Sequence, residues 1–384
     1  MLFQFCLCLQ SEGTTHLRGL MTSRIFISRA EITSTIYHTD EDIANMVCFA
    51  SRTTFHLTET FFLIVIFNLC NLVTALCPRP SAVAIAARSI GGADPNRPQK
   101  VNQDAFFQAV VPSSSVIARK NICLMGVMDG HGLKGHLVTQ FLSKQLPNRI
   151  VEQLDNPSPE EEWEVKMKDL ANFDIDDEIN NSKGDDYFEI HCAIRYAFHQ
   201  AHIDAINAPD VPAGRSGTTC IACLIDDACI HVAHVGDSKA ILVHSDGTGQ
   251  MLTTETTVSN LPRDAARISI GEGRIDGLGN VWYGPVGISM TRALGDAVML
   301  RAGVVPTPIV QSFPRSDSCT LVVATDGVWD VLSHEDVCGI ASNKYLSLEQ
   351  IVDQITEQAR QKWIGDLPVM EEKVDDITCI VAKL

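Results

Sequence analysis

Apolar residues fall into two regimes that meet near residue 95. Beyond that point, short apolar runs alternate with amphipathic stretches. Ile122–Met128 is a continuous apolar run closed by Asp129-Gly130, the pattern of a buried strand ending in a turn. Leu137, Val138, Phe141, Leu142 and Leu146 recur at helical spacing, as do Ile190, Ile194, Phe198, Ala201 and Ala205. Three strand-like runs follow at 219–225, 229–235 and 239–243, broken by Asp226-Asp227 and Gly236-Asp237. Another buried strand, 321–324, stops at Asp326-Gly327. Leu348, Ile351, Val352 and Ile355 mark a helix, and 377–384 a closing strand. Strands in runs with helices grouped in pairs predict an α+β fold rather than alternating βαβ units.

Before residue 95 no period of 2 or 3.6 persists, and the first lysine of the chain is Lys100. Residues 1–90 are therefore expected to be an extension, with the folded domain at 91–384. Within the extension, 60–78 is a run of 19 uncharged residues, close to the roughly 20 apolar residues that cross a bilayer. Asn68, Asn71 and Thr74 interrupt it, and it starts too late for a signal peptide. A partly buried helix is favoured over a membrane anchor, and a cytoplasmic location over a tethered one. Residues 155–187 are dominated by acidic and polar side chains and predict a solvated insertion.

A length of 384 residues suits one large domain plus an extension, and 45% hydrophobic residues exclude wholesale disorder. The net charge of −17 argues against nucleic acid and anionic lipid as partners and suits divalent cations. Thirteen cysteines without regular spacing do not form a disulfide framework, so a reducing compartment is expected. Cys220-x-x-Cys223 lies in a strand pattern that sends its two side chains to opposite faces, which argues against a zinc half-site.

Acidic residues flank the apolar strands: Asp129, Asp237, Asp326 and the pair Asp375-Asp376. One Asp-Gly alone is an ordinary turn. Four such sites on different strands can converge where the strand ends gather. Converging carboxylates repel one another unless cations sit between them, and oxygen ligands select Mg²⁺ or Mn²⁺.

The ordered blocks Asn102-Gln103-Asp104-Ala105, Met128-Asp129-Gly130-His131-Gly132, Ser216-Gly217-Thr218-Thr219, Val235-Gly236-Asp237-Ser238-Lys239-Ala240, Met290-Thr291-Arg292-Ala293-Leu294-Gly295-Asp296, Ala324-Thr325-Asp326-Gly327-Val328-Trp329-Asp330 and Asp375-Asp376-Ile377-Thr378 resemble the metal-dependent (type 2C) serine/threonine protein phosphatases. The resemblance implies two packed antiparallel β-sheets, a sandwich flanked by pairs of helices. It also implies Mn²⁺ or Mg²⁺, two or three ions per subunit. Asp129 would bridge two ions, the Gly130 carbonyl would bind one, and Asp326 and Asp375 the other. Asp104 belongs with these acids, and Asp237, with Asp326 and Asp330, with a looser third ion. A bridged water would attack phosphoserine or phosphothreonine of a protein substrate, with His131 protonating the leaving oxygen. Gln103 stands where the family often has Glu, and Lys100 is preferred over Arg97 as the phosphate-binding cation. Thr291-Arg292 is expected to be structural and 272–287 to form a flap. A monomer is expected. The alternative is a non-catalytic binding module on the same fold, but the full set of carboxylates favours catalysis.

Overall fold

Apolar runs such as Ile122–Met128 need cover on both faces, and the fold supplies it in four layers. The computed structural model describes residues 83–111, 122–158, 187–316, 318–365 and 373–384. The apolar run 60–78 and all but the ends of the insertion 155–187 lie outside the described residues. In chain order the strands are β1 (Ala84–Ile90), β2 (Ala105–Val111), β3 (Ile122–Met128), β4 (Gly130–Gly132), β5 (Ser216–Thr218), β6 (Cys220–Ile225), β7 (Cys229–Val235) and β8 (Lys239–Val243). There follow β9 (Gly249–Met251), β10 (Arg274–Ile275), β11 (Val281–Tyr283), β12 (Val286–Ile288), β13 (Leu294–Gly295), β14 (Ile309–Pro314), β15 (Thr320–Ala324) and β16 (Ile377–Lys383). One five-stranded sheet runs β1-β16-β15-β8-β9 and the other β14-β7-β6-β3-β2, with every pairing antiparallel.

Alternation along the strands builds the layers. Met125, Val127, Ile221, Cys223 and Val232 of one sheet interlock with Leu242, Leu321, Val323 and Ile380 of the other. The intervening residues face outward. Leu124, Ala222 and Leu224 pack on Leu142, Leu146, Ile194 and Phe198 of the helices Gly135–Asp155 and Phe188–Asn207. On the far side, Ile241, Val322 and Val381 pack on Val337, Ile351 and Ile355 of the helices His334–Ala341 and Leu348–Ile364. Each of these two helices begins with a capping box, at Ser333 and Ser347. Cys220 and Cys223 sit in different layers, as the strand reading requires. Among the described residues no helix is long and apolar enough to cross a membrane.

One expectation needs correction and another refinement. The domain does not start at residue 91: Ala84–Ile90 pairs along its length with β16, from Ala84 opposite Lys383 to Ile90 opposite Ile377. Its alanines hid it, since they carry little strand signal. The Gly-rich stretch expected as a flap at 272–287 carries a small three-stranded sheet, β10-β11-β12, which refines that expectation. Val281 anchors the sheet on Ile268, Met290 and Met299.

Arg292 is structural, as expected. Its guanidinium forks onto Asp264, with Nε 2.8 Å from Oδ2 and Nη2 3.0 Å from Oδ1. Arg267 Nη1 lies 2.6 Å from Oδ1 and Thr291 donates to Oδ2 at 2.7 Å. Burial opposes ionisation of Asp264, but the two arginines outweigh it and hold the carboxyl at about 2, below its ordinary 3.8. A lowered folded pKa stabilises the fold above the unfolded value and loses that contribution as pH falls toward 2. The contribution is about 2 kcal/mol. Asp264→Asn is expected to flatten the acid limb of stability between pH 4 and 2. It also costs about 3–5 kcal/mol at neutral pH by removing the carboxylate that the buried Arg292 shares with Arg267. Urea unfolding across pH measures both effects.

Candidate active site

Antiparallel pairing brings the acidic strand ends to one edge of the sandwich. β3 ends with Met128 opposite Ala105, so Asp129 and Asp104 emerge side by side. β15 ends next to the start of β16, where Ala324 faces Cys379 and Thr325 N donates to Thr378 O at 3.0 Å. That places Asp326 beside Asp375. Asp237 lies in the turn that carries the chain from β7 in one sheet to β8 in the other. Asp129, Asp237, Asp326 and Asp375 line one cleft of about 440 Å³, together with Gly130 and His131.

Like charge in a dry setting shapes the electrostatics. Burial, then Asp104, Asp326 and Asp237, push the Asp129 carboxyl well above its ordinary 3.8. Asp237 is raised to about 6 by burial and by Asp326. Asp326 is raised by burial and by Asp375 and Asp330, while a hydrogen bond with Asp129 works the other way. Burial and Asp237 also raise Asp330, which shares this field. Asp104 is raised to about 7 by burial, against hydrogen bonds from Thr378 and Thr325. Its Oδ2 accepts from Thr325 Oγ1 at 2.9 Å, and its buried Oδ1 has no partner. Asp104 is thus brought behind Asp129, not onto the cleft wall.

These residues suit hard divalent ions. All the donors are oxygens, and a cation would offset both the burial of these carboxylates and their mutual repulsion. Among the described residues no three His, Cys, Asp or Glu side chains form a ready-made cage. An open site that leaves coordination positions to a backbone carbonyl and water fits Mg²⁺ or Mn²⁺ better than a closed protein cage does.

His131 lines the same cleft, and its orientation is dictated from behind. Its Nε2 lies 2.5 Å from Oδ2 of the buried Asp296, while Nδ1 has no partner. Burial disfavours the imidazolium, but Asp296, then Asp237 and Asp326, outweigh it and raise the pKa above 6.5. Asp296 adopts a left-handed backbone conformation (φ 46°, ψ 44°), which costs a non-glycine residue about 1–3 kcal/mol. Gly217 makes room for it, since a Cβ there would overlap the Asp296 carboxylate. The motif block contained Asp296, but nothing in its spacing pointed to His131; only the fold joins them.

Lys100 reaches the cleft in a different role from the expected one. Its Nζ lies 2.5 Å from Asp376 Oδ1 and 3.7 Å from Asp375 Oδ1, and its side chain is only 7% exposed. An ammonium committed to two carboxylates is poorly placed to bind phosphate. Asp376 also accepts from the backbone N–H groups of Gly92 (2.7 Å) and Gln103 (2.9 Å), tying three segments together. Arg97, 54% exposed and paired through Nε with Asp94, and Lys373, 57% exposed and 3.2 Å from Asp375 Oδ2, are the more exposed cations of the cleft. Lys373 carried no sequence signal. Gln103 donates from Nε2 to the Gly132 carbonyl at 2.9 Å and so braces the turn that carries His131.

Comparison with known proteins places these features in context. The family model described as Protein phosphatase 2C matches residues 116–366. Probable protein phosphatase 2C 14 of Oryza sativa subsp. japonica is 30% identical over 306 residues, 73% of this chain and 57% of the rice protein. This chain thus spans little more than half the length of that relative. Probable protein phosphatase 2C 61 of Arabidopsis thaliana is 28% identical over 274 residues, 68% of this chain and 75% of its own length. Among solved structures, a serine-threonine phosphatase 2C from Toxoplasma gondii superposes with a TM-score of 0.59 at 17% identity, covering 79% of this chain and 95% of the other. A C. elegans sex determining protein gives 0.56 at 18% identity, covering 90% and 74%. At such identities the two structures speak for the fold alone.

If repulsion among these carboxylates is the dominant strain at the cleft, Asp326→Asn should stabilise the cation-free protein, because the amide keeps a hydrogen bond to Asp129 and removes a charge. Thermal unfolding in EDTA is expected to show a rise of about 2–6 °C. A fall would mean that the carboxylates do not strain the fold.

Proposed function

The chain belongs to the protein phosphatase 2C family, and on that premise we propose that it is a protein serine/threonine phosphatase dependent on Mn²⁺ or Mg²⁺. The observation that carries the proposal is the convergence of Asp129, Asp237, Asp326 and Asp375 on one cleft with His131. Asp129 and the Gly130 carbonyl, with Asp326 and Asp375 facing them, are the groups we assign to two cations. Asp237, Asp326 and Asp330 are assigned to a third, looser one. When bound, such ions acidify a water and draw charge from the phosphoryl oxygens.

The remaining work falls to the chain itself. Asp104 lies behind Asp129, is held by the hydrogen bond from Thr325, and adds its charge to the field on Asp129. Lys100 and Asp376 hold Asp375 to the segment that carries Gln103. Arg97 and Lys373 are positioned to meet the anionic phosphoryl group as it enters. Asp296 keeps Nε2 of His131 engaged and so sets the orientation of the ring at the cleft wall, and we assign His131 to protonate the departing serine or threonine oxygen. The complete set of carboxylates supports turnover over a binding-only module. Phosphorylated proteins are the proposed substrates, and the cytoplasm, whose reducing conditions suit thirteen cysteines, is the proposed location.

Hydrolysis of a phosphothreonine peptide tests the proposal. Turnover is expected with Mn²⁺, none in EDTA, and a loss of about 10³-fold with Asp129→Ala. In the same assay Asp296→Asn is expected to lower kcat on the peptide by about 10–100-fold. It should barely change kcat on p-nitrophenyl phosphate, whose leaving group departs without a proton. Unchanged turnover in EDTA would refute the metal mechanism. An equal loss on both substrates would reduce Asp296 to a packing role.

A further inference from the structure

Next to His131 the catalytic cleft opens into a second depression of about 530 Å³. The two share His131, Leu133 and Met290, so they form one continuous surface. The walls of the second come from β12, through Val286 and Ile288, and from the loops that carry Leu133 and Arg215. Leu133 is 87% exposed and shares this depression with the half-buried Val286 and Ile288, which gives it an apolar floor. Arg215 is exposed and forms no ion pair among the described residues, although the chain carries a net charge of −17.

Position decides what this surface meets. The carboxylates hold one side of the phosphoryl group, and His131 serves the oxygen that leaves with the serine or threonine. The peptide attached to that oxygen must therefore pass on the His131 side, over the second depression. We infer that this groove reads the residues flanking the phosphorylated one, seating an apolar side chain against Leu133, Val286 and Ile288 and a carboxylate against Arg215. The preferred substrates are phosphopeptides with one apolar and one acidic neighbour. This rests on the phosphatase reading of the cleft and adds to it the class of sequence it accepts.

Four labelled phosphothreonine peptides test it, with Leu or Ala and Glu or Lys placed beside the phosphoresidue on either side. Two quantities are measured: kcat/KM by phosphate release with Mn²⁺, and affinity by fluorescence anisotropy in EDTA, where nothing turns over. Leu is expected to outperform Ala by about fivefold to tenfold. Glu should outperform Lys by about fivefold at low salt, with the ratio shrinking toward one in about 0.5 M salt. Arg215→Glu is expected to invert the charge preference while leaving the Leu-to-Ala ratio and hydrolysis of p-nitrophenyl phosphate unchanged. Equal values for the four peptides, or a charge preference that survives Arg215→Glu, would overturn the inference. If the affinity pattern appears in EDTA and no peptide is hydrolysed with Mn²⁺, the groove stands and the catalytic reading falls.

Discussion

Two antiparallel sheets end their central strands at the same edge, and those ends carry aspartates. Asp129 leaves β3, Asp326 leaves β15, Asp375 enters β16 and Asp237 turns between the sheets, so four half-buried carboxylates must share one cleft. In water such groups would separate. Here their positions follow from strand pairing that buries most of the core, and the carboxyl groups cannot move apart without unpicking it. Burial, and after it the neighbouring carboxylates, raise the pKa values of Asp129, Asp237 and Asp104 above the ordinary carboxylate range. Cations bound there would relieve the conflict, because they would remove the repulsion and leave the oxygens ionised.

The surroundings of the cleft read as supports for this arrangement. Lys100 places its charge against Asp376 and Asp375, and Asp376 collects backbone N–H groups from Gly92 and Gln103. Trp363, near the end of the helix Leu348–Ile364, donates to the Gly327 carbonyl at 2.7 Å, steadying the turn after Asp326. Asp264, with its two arginines, clamps the segment that leads through Arg292 to Asp296. Asp296 then accepts an unfavourable backbone conformation in order to reach His131. Strain of this kind persists only where neighbouring structure overdetermines it, and the Asp264 clamp together with the gap left by Gly217 supplies that.

Much of this was readable from the sequence, for identifiable reasons. Buried strands such as Ile122–Met128 and Cys229–Val235 are long apolar runs with acidic turns after them, and periodicity finds those directly. The clustered aspartates were legible because each sits at a strand end, where position in the sequence predicts position in space. Strand β1 was missed because AIAARSI is alanine-rich and derives its stability from pairing with β16, at the far end of the chain. The roles of Lys100, Asp376 and Asp296 were hidden for a similar reason. Each depends on a partner in a distant segment, and neither charge nor spacing encodes which partner that is. The strands within the expected flap, β10-β11-β12, gave no sequence signal because they are only two or three residues long, too short to show a period.

The central claim is that Asp129 stands between two cations held by the facing aspartates. Electron paramagnetic resonance of the protein titrated with Mn²⁺ addresses it without reference to turnover. The account predicts saturation at two or more ions per chain with the spectrum of an exchange-coupled pair, and loss of that coupling in Asp129→Ala. A single uncoupled Mn²⁺ signal, or coupling that survives without the Asp129 carboxylate, would contradict it.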